Sequence, residues 1–328
     1  MNKYERRYEK YKILVNKKLG RFIDKKYPSG IYSPLKYILS GGGKRIRPAL
    51  LLLCCEASGG KTKNALNAAI AVETLHNFTL IHDDIMDNAN TRRGKETIHK
   101  KWDRDTAILS GDALLGLAYE SLLKTKSPRI GEIAGIFNKG IIEVCEGQSY
   151  DKEFELKKNV SLKEYVMMIN KKTSQLLVCC AKIGVLIGGG NKSLFKAMEN
   201  YALNLGLAFQ IQDDLLDIFA DEKKFGKKTG GDLREGKKTY MLLKALETIK
   251  NKKDRALLES VIKNKGIKKE SDIPDIREIY GKYGIIQSAE NEIEKYTAAA
   301  NMYLGKIKND KLRSMLMWFS YMLLNRNA

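Results

Sequence analysis

Residues 72–87 read VETLHNFTLIHDDIMD and residues 202–217 read ALNLGLAFQIQDDLLD. In both, apolar residues recur at spacings of three and four until they cover nearly the whole circumference, the pattern of a helix buried on all sides. Each run then ends in three carboxylates, Asp83, Asp84 and Asp87 in one and Asp213, Asp214 and Asp217 in the other. Two central helices that end in charge set both the fold class and the chemistry.

Outward from these two segments the same helical periodicity continues. It predicts helices over 3–26, 33–39, 45–58, 62–86, 104–124, 129–148, 161–189, 193–219, 238–248, 254–264, 272–283 and 285–326. Breaks are expected at Gly41–Gly43, Gly59–Gly60, Asn88–Glu96, Asp151–Asn159, Gly188–Gly190 and Asp221–Lys237. No strand alternation, internal repeat or interdomain linker stands out. The expectation is an all-α chain, one domain over 1–328, of about 10–13 helices.

Composition agrees. Only 5 prolines interrupt 328 residues, and 43% hydrophobic with 30% charged residues excludes disordered and collagen-like classes. A formal charge of +20 invites a nucleic-acid partner. The basic residues, however, lie in pairs and triplets among acids, without the interleaved aromatics of a single-strand binder, so a solvated lysine-rich surface is expected and no nucleic acid. Cys54, Cys55, Cys145, Cys179 and Cys180 are odd in number and lack CxxC spacing. They read as buried core thiols in a reducing compartment. The first residues carry no apolar leader. The longest apolar run, Ala49 to Cys55, falls far short of the roughly 18–20 residues that span a bilayer, so a cytoplasmic protein without a membrane anchor is expected.

On a helix, Asp83 and Asp87 share one face, as do Asp213 and Asp217, and no cation follows at the next turn. Crowded like charges at an apolar helix end need a positive partner. Carboxylates without His or Cys suit Mg²⁺, completed by water and substrate phosphate. An acidic helix end facing solvent accounts for one such cluster and poorly for two. Facing each other, the two would clamp a diphosphate.

Cationic candidates lie nearby. Gly41-Gly42-Gly43-Lys44-Arg45-Ile46-Arg47 joins a glycine turn to a helix start without Walker A spacing, with Lys44 and Arg47 three apart on one face. Arg92 and Arg93 form a pair suited to bidentate phosphate contacts. Lys171, Lys172 and Thr173 interrupt an apolar helix, and Lys227, Lys228, Lys237 and Lys238 follow the second cluster, where they could close over it. His76 lies two turns before Asp83 on nearly the same stripe, while His82 and His99 read as structural.

In this order the sequence resembles the trans-isoprenyl diphosphate synthases, or polyprenyl synthetases, above all the archaeal-type short-chain geranylgeranyl and farnesyl diphosphate synthases. The matching segments are GGGKRIRP at 41–48, LHNFTLIHDDIMD at 75–87, RRGKETIH at 92–99, LSGDALL at 109–115, KKTSQLL at 171–177, FQIQDDLLDIFAD at 209–221 and GDLREGKKT at 231–239. The resemblance implies an all-α bundle around a central cavity, the isoprenoid synthase fold, usually as a homodimer. It implies an enzyme that couples an allylic diphosphate (dimethylallyl, geranyl or farnesyl) head to tail with isopentenyl diphosphate, using about three Mg²⁺ per active site with Mn²⁺ able to substitute. By motif position, Lys44, Arg47, His76 and Arg93 would bind isopentenyl diphosphate. Arg92, Lys172, Thr173, Gln210, Lys227 and Lys237 would hold the allylic diphosphate. Asp83, Asp87 and Asp213 would be the principal metal ligands, completed by Asp84, Asp214 and Asp217, with Arg92 and Lys172 also catalytic. Departures are mild: Asn88-Ala89-Asn90-Thr91 is less acidic than many relatives, KTS replaces KTA or KTG, FGK replaces LGK, and Asn325-Arg326-Asn327-Ala328 ends without a basic tail.

In such enzymes the residues four and five before the first aspartate set product length, here Thr79 and Phe78. An aromatic at the fifth position implies a C20 product, with C15 or a longer chain as alternatives. A terpene cyclase would mix Asn, Ser or Thr with Glu in its second metal site, unlike DDLLD, and a non-catalytic subunit would carry degraded clusters. Phe78→Ala should lengthen the product, read by chromatography of the prenyl chains; an unchanged length would show that Phe78 does not limit it.

Overall fold

The computed structural model describes residues 1–24, 27–220 and 229–324. Their regular secondary structure is helical apart from one minimal antiparallel pair, Thr91–Arg92 (β1) with Lys95–Glu96 (β2). They divide into two compact units. The first comprises residues 1–141, 179–199 and 306–316, the second 142–178, 200–305 and 317–328.

In the first unit, α1 (Lys3–Phe22), α2 (Ser29–Leu39) and α3 (Ile46–Ala57) surround α4 (Thr62–Met86), followed by α5 (Ile98–Lys101) and α6 (Arg104–Leu123). Helix α1 starts at a reciprocal cap, in which Asn2 Oδ1 accepts from Glu5 N–H at 2.9 Å and Glu5 Oε2 accepts from Asn2 N–H at 2.8 Å. Helix α4 is apolar nearly all round because α3 and α6 cover it on different sides, and Ala65, Ala68, Ala69 and Ala71 are fully buried. Its 25 residues reach roughly 37 Å at the α-helical rise. It stops in a Schellman arrangement: Asn88 adopts φ 48°, its N–H donates to the Ile85 carbonyl, and Ala89 N–H donates to the Asp84 carbonyl. The first aspartate cluster therefore sits at the last turn of a long helix with a largely buried body.

The remaining helices are α7 (Ile130–Leu156), α8 (Leu162–Ile169), α9 (Gln175–Gly188), α10 (Lys192–Phe219), α11 (Gly231–Arg234), α12 (Tyr240–Thr248), α13 (Lys252–Lys263), α14 (Asp272–Lys282), α15 (Ile285–Tyr303) and α16 (Asp310–Leu324). Within the second unit, α12 packs on α8, α13 and α15, and the Tyr201 and Ser320 hydroxyls meet at 2.9 Å.

Sixteen α-helices among the described residues exceed the expected number for physical reasons. The run expected over 285–326 breaks at a 3₁₀ turn, Leu304–Lys306, and restarts where Asn309 Oδ1 accepts from Leu312 N–H at 3.2 Å. The run over 161–189 contains a π-helical turn, Asn170–Ser174. The break expected at Asp151 comes later, because α7 continues to Leu156. One cysteine expectation fails: Cys54, Cys55, Cys179 and Cys180 are buried free thiols, but Cys145 is exposed, beside the buried Val144 on α7. Burial pushes the Cys55 and Cys179 thiols up to about 12. Among the described residues no helix is long and apolar enough to cross a membrane.

Helices α3 and α9 approach closely at Gly184, where a Cβ would lie 2.3 Å from the Leu51 carbonyl oxygen and 2.8 Å from Cys54 Cβ. Gly184→Ala should lower stability by about 1–3 kcal/mol through overpacking. Gly135→Ala, on the exposed side of α7 with no atom within 4 Å, should raise it by up to about 1 kcal/mol. Thermal unfolding of the two variants checks both signs.

Candidate active site

In the first unit the two basic segments meet. The β1–β2 turn places Arg93 at φ 54° and Gly94 at φ 73°, the two left-handed positions of a tight hairpin. Consecutive arginines then diverge. Arg92 Nε donates to Asp84 Oδ1 at 2.6 Å, while Arg93 Nη1 donates to the Gly42 carbonyl at 2.8 Å. Gly43 must lack a side chain, because a Cβ there would lie 2.9 Å from Arg93 Nη1 and its own φ is 135°. Arg47 Nη1 and His76 Nε2 are 3.2 Å apart. Lys44, Arg47, His76 and Arg93 thus belong to one neighbourhood at the start of α3. Burial, then Arg47, Arg93, Arg92 and Arg45, holds the His76 imidazole well below its usual range, so it is neutral at pH 7. Burial also lowers the Arg93 guanidinium.

The first aspartate cluster splits by role. Asp84 is 2% exposed and turned onto Arg92, whereas Asp83 and Asp87 stay partly exposed one turn apart. Burial raises the Asp84 carboxyl to about 6 against the pull of Arg92, with Asp83 and Asp87 adding to the rise. All three sit at the negative end of the α4 dipole, which attracts cations. Phe78 is buried and packs against the tilted ring of His82 with centroids 4.6 Å apart, and the Thr79 hydroxyl donates to the His76 carbonyl at 2.9 Å.

The second unit repeats the division. Asp214 is 4% exposed and accepts from the Tyr165 hydroxyl at 2.6 Å, the Tyr240 N–H at 2.9 Å and Gln210 Nε2 at 3.0 Å. Burial still lifts it to about 6. Asp213 and Asp217 stay partly exposed. The end of α10 is closed by Gly230 N–H on the Asp217 carbonyl at 2.6 Å, Asp232 N–H on Asp217 Oδ2 at 3.0 Å and Arg277 Nε on the Ile218 carbonyl at 2.8 Å. Thr173 donates to Gln210 Oε1 at 2.7 Å, which ties two predicted allylic-site residues together. Lys172 is paired with Asp151, and Lys237 with Glu235 at 2.6 Å. Lys227 and Lys228 lie outside the described residues.

No group of three or more His, Cys, Asp or Glu is gathered for a metal among the described residues. With Asp84 and Asp214 committed to protein partners, each helix end keeps an i/i+4 carboxylate pair, a partial oxygen set of the kind Mg²⁺ completes with water and phosphate.

Residues 28–280 match the profile of the family described as Polyprenyl synthetase. The chain belongs to the polyprenyl synthetase family. Membership makes it a prenyltransferase with the all-α isoprenoid synthase fold. It is 36% identical over 318 residues to a short chain isoprenyl diphosphate synthase of Methanothermobacter thermautotrophicus, with 97% of each chain covered. It is 44% identical over 222 residues to a geranylgeranyl diphosphate synthase of Methanosarcina mazei, covering 67% of this chain and 68% of that one. The crystal structure of geranylgeranyl pyrophosphate synthetase from Pyrococcus horikoshii superposes with a TM-score of 0.92 at 36% identity, over 99% of this chain and all of that one.

Sequence reasoning missed several residues that shape this polyprenyl synthetase site. Gly147 and Gly206 flank the π turn: a Cβ on the first would lie 2.2 Å from the Lys172 nitrogen, and on the second 2.6 Å from Ser174 Cα. Glycines inside helical periodicity were the available signal. Tyr165, Asp151 and Asp232 carried none, because each acts by long-range contact. Asp232 is held well above the usual carboxylate range by burial and then by Asp217.

The neutral His76 has a stability consequence. Its folded value lies below the unfolded 6.5, so its contribution is present above pH 6.5 and is lost as pH falls below that value. Between about pH 7 and 5 the melting temperature of wild type should therefore fall more steeply than that of His76→Gln. Parallel profiles would show that His76 is not a buried neutral base.

Proposed function

We propose that this prenyltransferase condenses isopentenyl diphosphate with dimethylallyl, geranyl and farnesyl diphosphates and stops at geranylgeranyl diphosphate, C20. The observation that carries the reading is shared by the two helix ends: in each cluster one carboxylate is buried against protein donors, while two others, one turn apart, stay partly exposed. Relatives named as geranylgeranyl diphosphate synthases and the aromatic Phe78 support the C20 endpoint.

Lys44, Arg47 and Arg93 hold the diphosphate of isopentenyl diphosphate, with neutral His76 as a hydrogen-bonding partner that adds no charge to defend. Arg92, Lys172, Thr173, Gln210, Lys227 and Lys237 serve the allylic diphosphate. Asp83 and Asp87, with Asp213 and Asp217, would hold Mg²⁺, and Asp84 and Asp214 would orient their neighbours. Bound Mg²⁺ supplies positive charge to the diphosphate as the C–O bond breaks. The ammonium and guanidinium groups share that load, so the bond ionises to an allylic cation. The C4 alkene carbon of isopentenyl diphosphate attacks the cation, and a C2 proton leaves to the departing pyrophosphate. No side chain is needed as a dedicated base.

The reading includes a single polyprenyl synthetase domain over 1–328 and a homodimer. Ile108, Leu109 and Leu123 of α6 are 39%, 56% and 62% exposed, and a partner copy would cover them. Buried free thiols support a cytoplasmic setting.

Purified protein with Mg²⁺, labelled isopentenyl diphosphate and each allylic starter in turn should yield a C20 endpoint. Asp83→Asn and Asp213→Asn should each lower kcat by about a hundredfold or more. No turnover with any starter would overturn the reading, and a C15 or longer endpoint would overturn the chain-length part.

A further inference from the structure

Between Lys44 and Arg47 lies a cation that points the other way. Arg45 has a side chain only 2% exposed, and its Nη1 meets Oε1 of Glu73, itself 3% exposed, at 2.5 Å. The same guanidinium donates through Nε to Asn16 Oδ1 at 2.8 Å and through Nη2 to the Leu39 carbonyl at 3.1 Å. Its acceptors thus come from three elements, α1, the end of α2, and α4. The Arg45 backbone stands at φ 51°, ψ 39°, the left-handed region, at the residue that opens α3 without a side-chain cap. A bulky residue adopts that conformation at a steric cost and keeps it only where its surroundings over-determine it.

A buried ion pair is weak grounds for stability, because apolar residues of similar volume often serve as well. A planar fork with three separate acceptors does something apolar residues cannot, which is to fix a direction. The turn is gripped again on either side: the Tyr8 hydroxyl donates to the Lys44 carbonyl, and His76 meets Arg47. Glu73 and His76 are three residues apart on α4, so one rigid helix holds the turn at Arg45 and at Arg47. From this we infer that Arg45 and Glu73 are positioning residues for isopentenyl diphosphate, locking the left-handed turn that aims Lys44 and Arg47. The inference rests on the reading of this turn as the isopentenyl diphosphate subsite.

Glu73→Gln alone leaves a buried guanidinium uncompensated and can simply unfold the protein. The decisive variant therefore replaces both partners, Arg45→Met with Glu73→Met. It should melt within a few degrees of wild type yet show a KM for isopentenyl diphosphate raised about tenfold or more, with kcat and the KM for geranyl diphosphate changed less than about twofold. Arg45→Lys, which keeps the charge and loses the fork, should show the same split to a smaller extent. An unchanged KM for isopentenyl diphosphate in either folded variant, or equal rises for both substrates, overturns the inference. Lys44→Ala separates the two levels. If it too leaves the KM for isopentenyl diphosphate unchanged, the subsite reading itself falls; if it raises that KM while the double variant is normal, only the positioning role falls.

Discussion

Three carboxylates at the end of an apolar helix repel one another where little solvent is available to screen them. The rest of each site is arranged around that repulsion. At α4 the protein turns Asp84 inward onto Arg92, and at α10 it turns Asp214 onto Tyr165, the Tyr240 amide and Gln210. Each solution buries one carboxylate against protein donors and keeps the other two partly exposed, one turn apart. The partners differ in kind: a guanidinium in one unit, and neutral donors only in the other.

Helix α4 carries most of the first unit's chemistry on one rigid rod. Glu73 anchors the basic turn, His76 meets Arg47, Phe78 and Thr79 occupy the position associated with product length, and Asp83, Asp84 and Asp87 end the helix. Because α3 and α6 cover this rod, its positions cannot shift singly. A site built this way holds its spacing by covalent geometry and packing, where a loop-borne site would hold it by hydrogen bonds alone.

Much of this was legible in the sequence. Helical periodicity gave the all-α class, and α4 falls on its expected residues. The clusters, the basic turn and the arginine pair stood out because charge in an apolar pattern is conspicuous. What stayed hidden depends on contacts between distant residues. Nothing near Tyr165 says that its hydroxyl reaches Asp214, 49 positions away. Likewise the fork of Arg45 is invisible beside Lys44 and Arg47, since all three read as one basic patch. Cys145 misled because an apolar neighbourhood in sequence became an outward face on α7. The π turn was seen only as polar residues interrupting a helix, because winding follows from packing against Gly147 and Gly206.

That π turn carries a consequence about how such a site can be altered. A π turn is an α-helix holding one residue too many. Remove that residue and the turn heals into regular winding, with the helix on either side kept roughly in register and the residues of the turn itself re-aimed. Thr173 would swing away from Gln210, which its hydroxyl now reaches at 2.7 Å. Substitution changes what a side chain is and only slightly where it points. Insertion of a single residue, absorbed within a helix and walled in by two glycines, re-aims a hydroxyl and an ammonium together while leaving their chemistry unchanged.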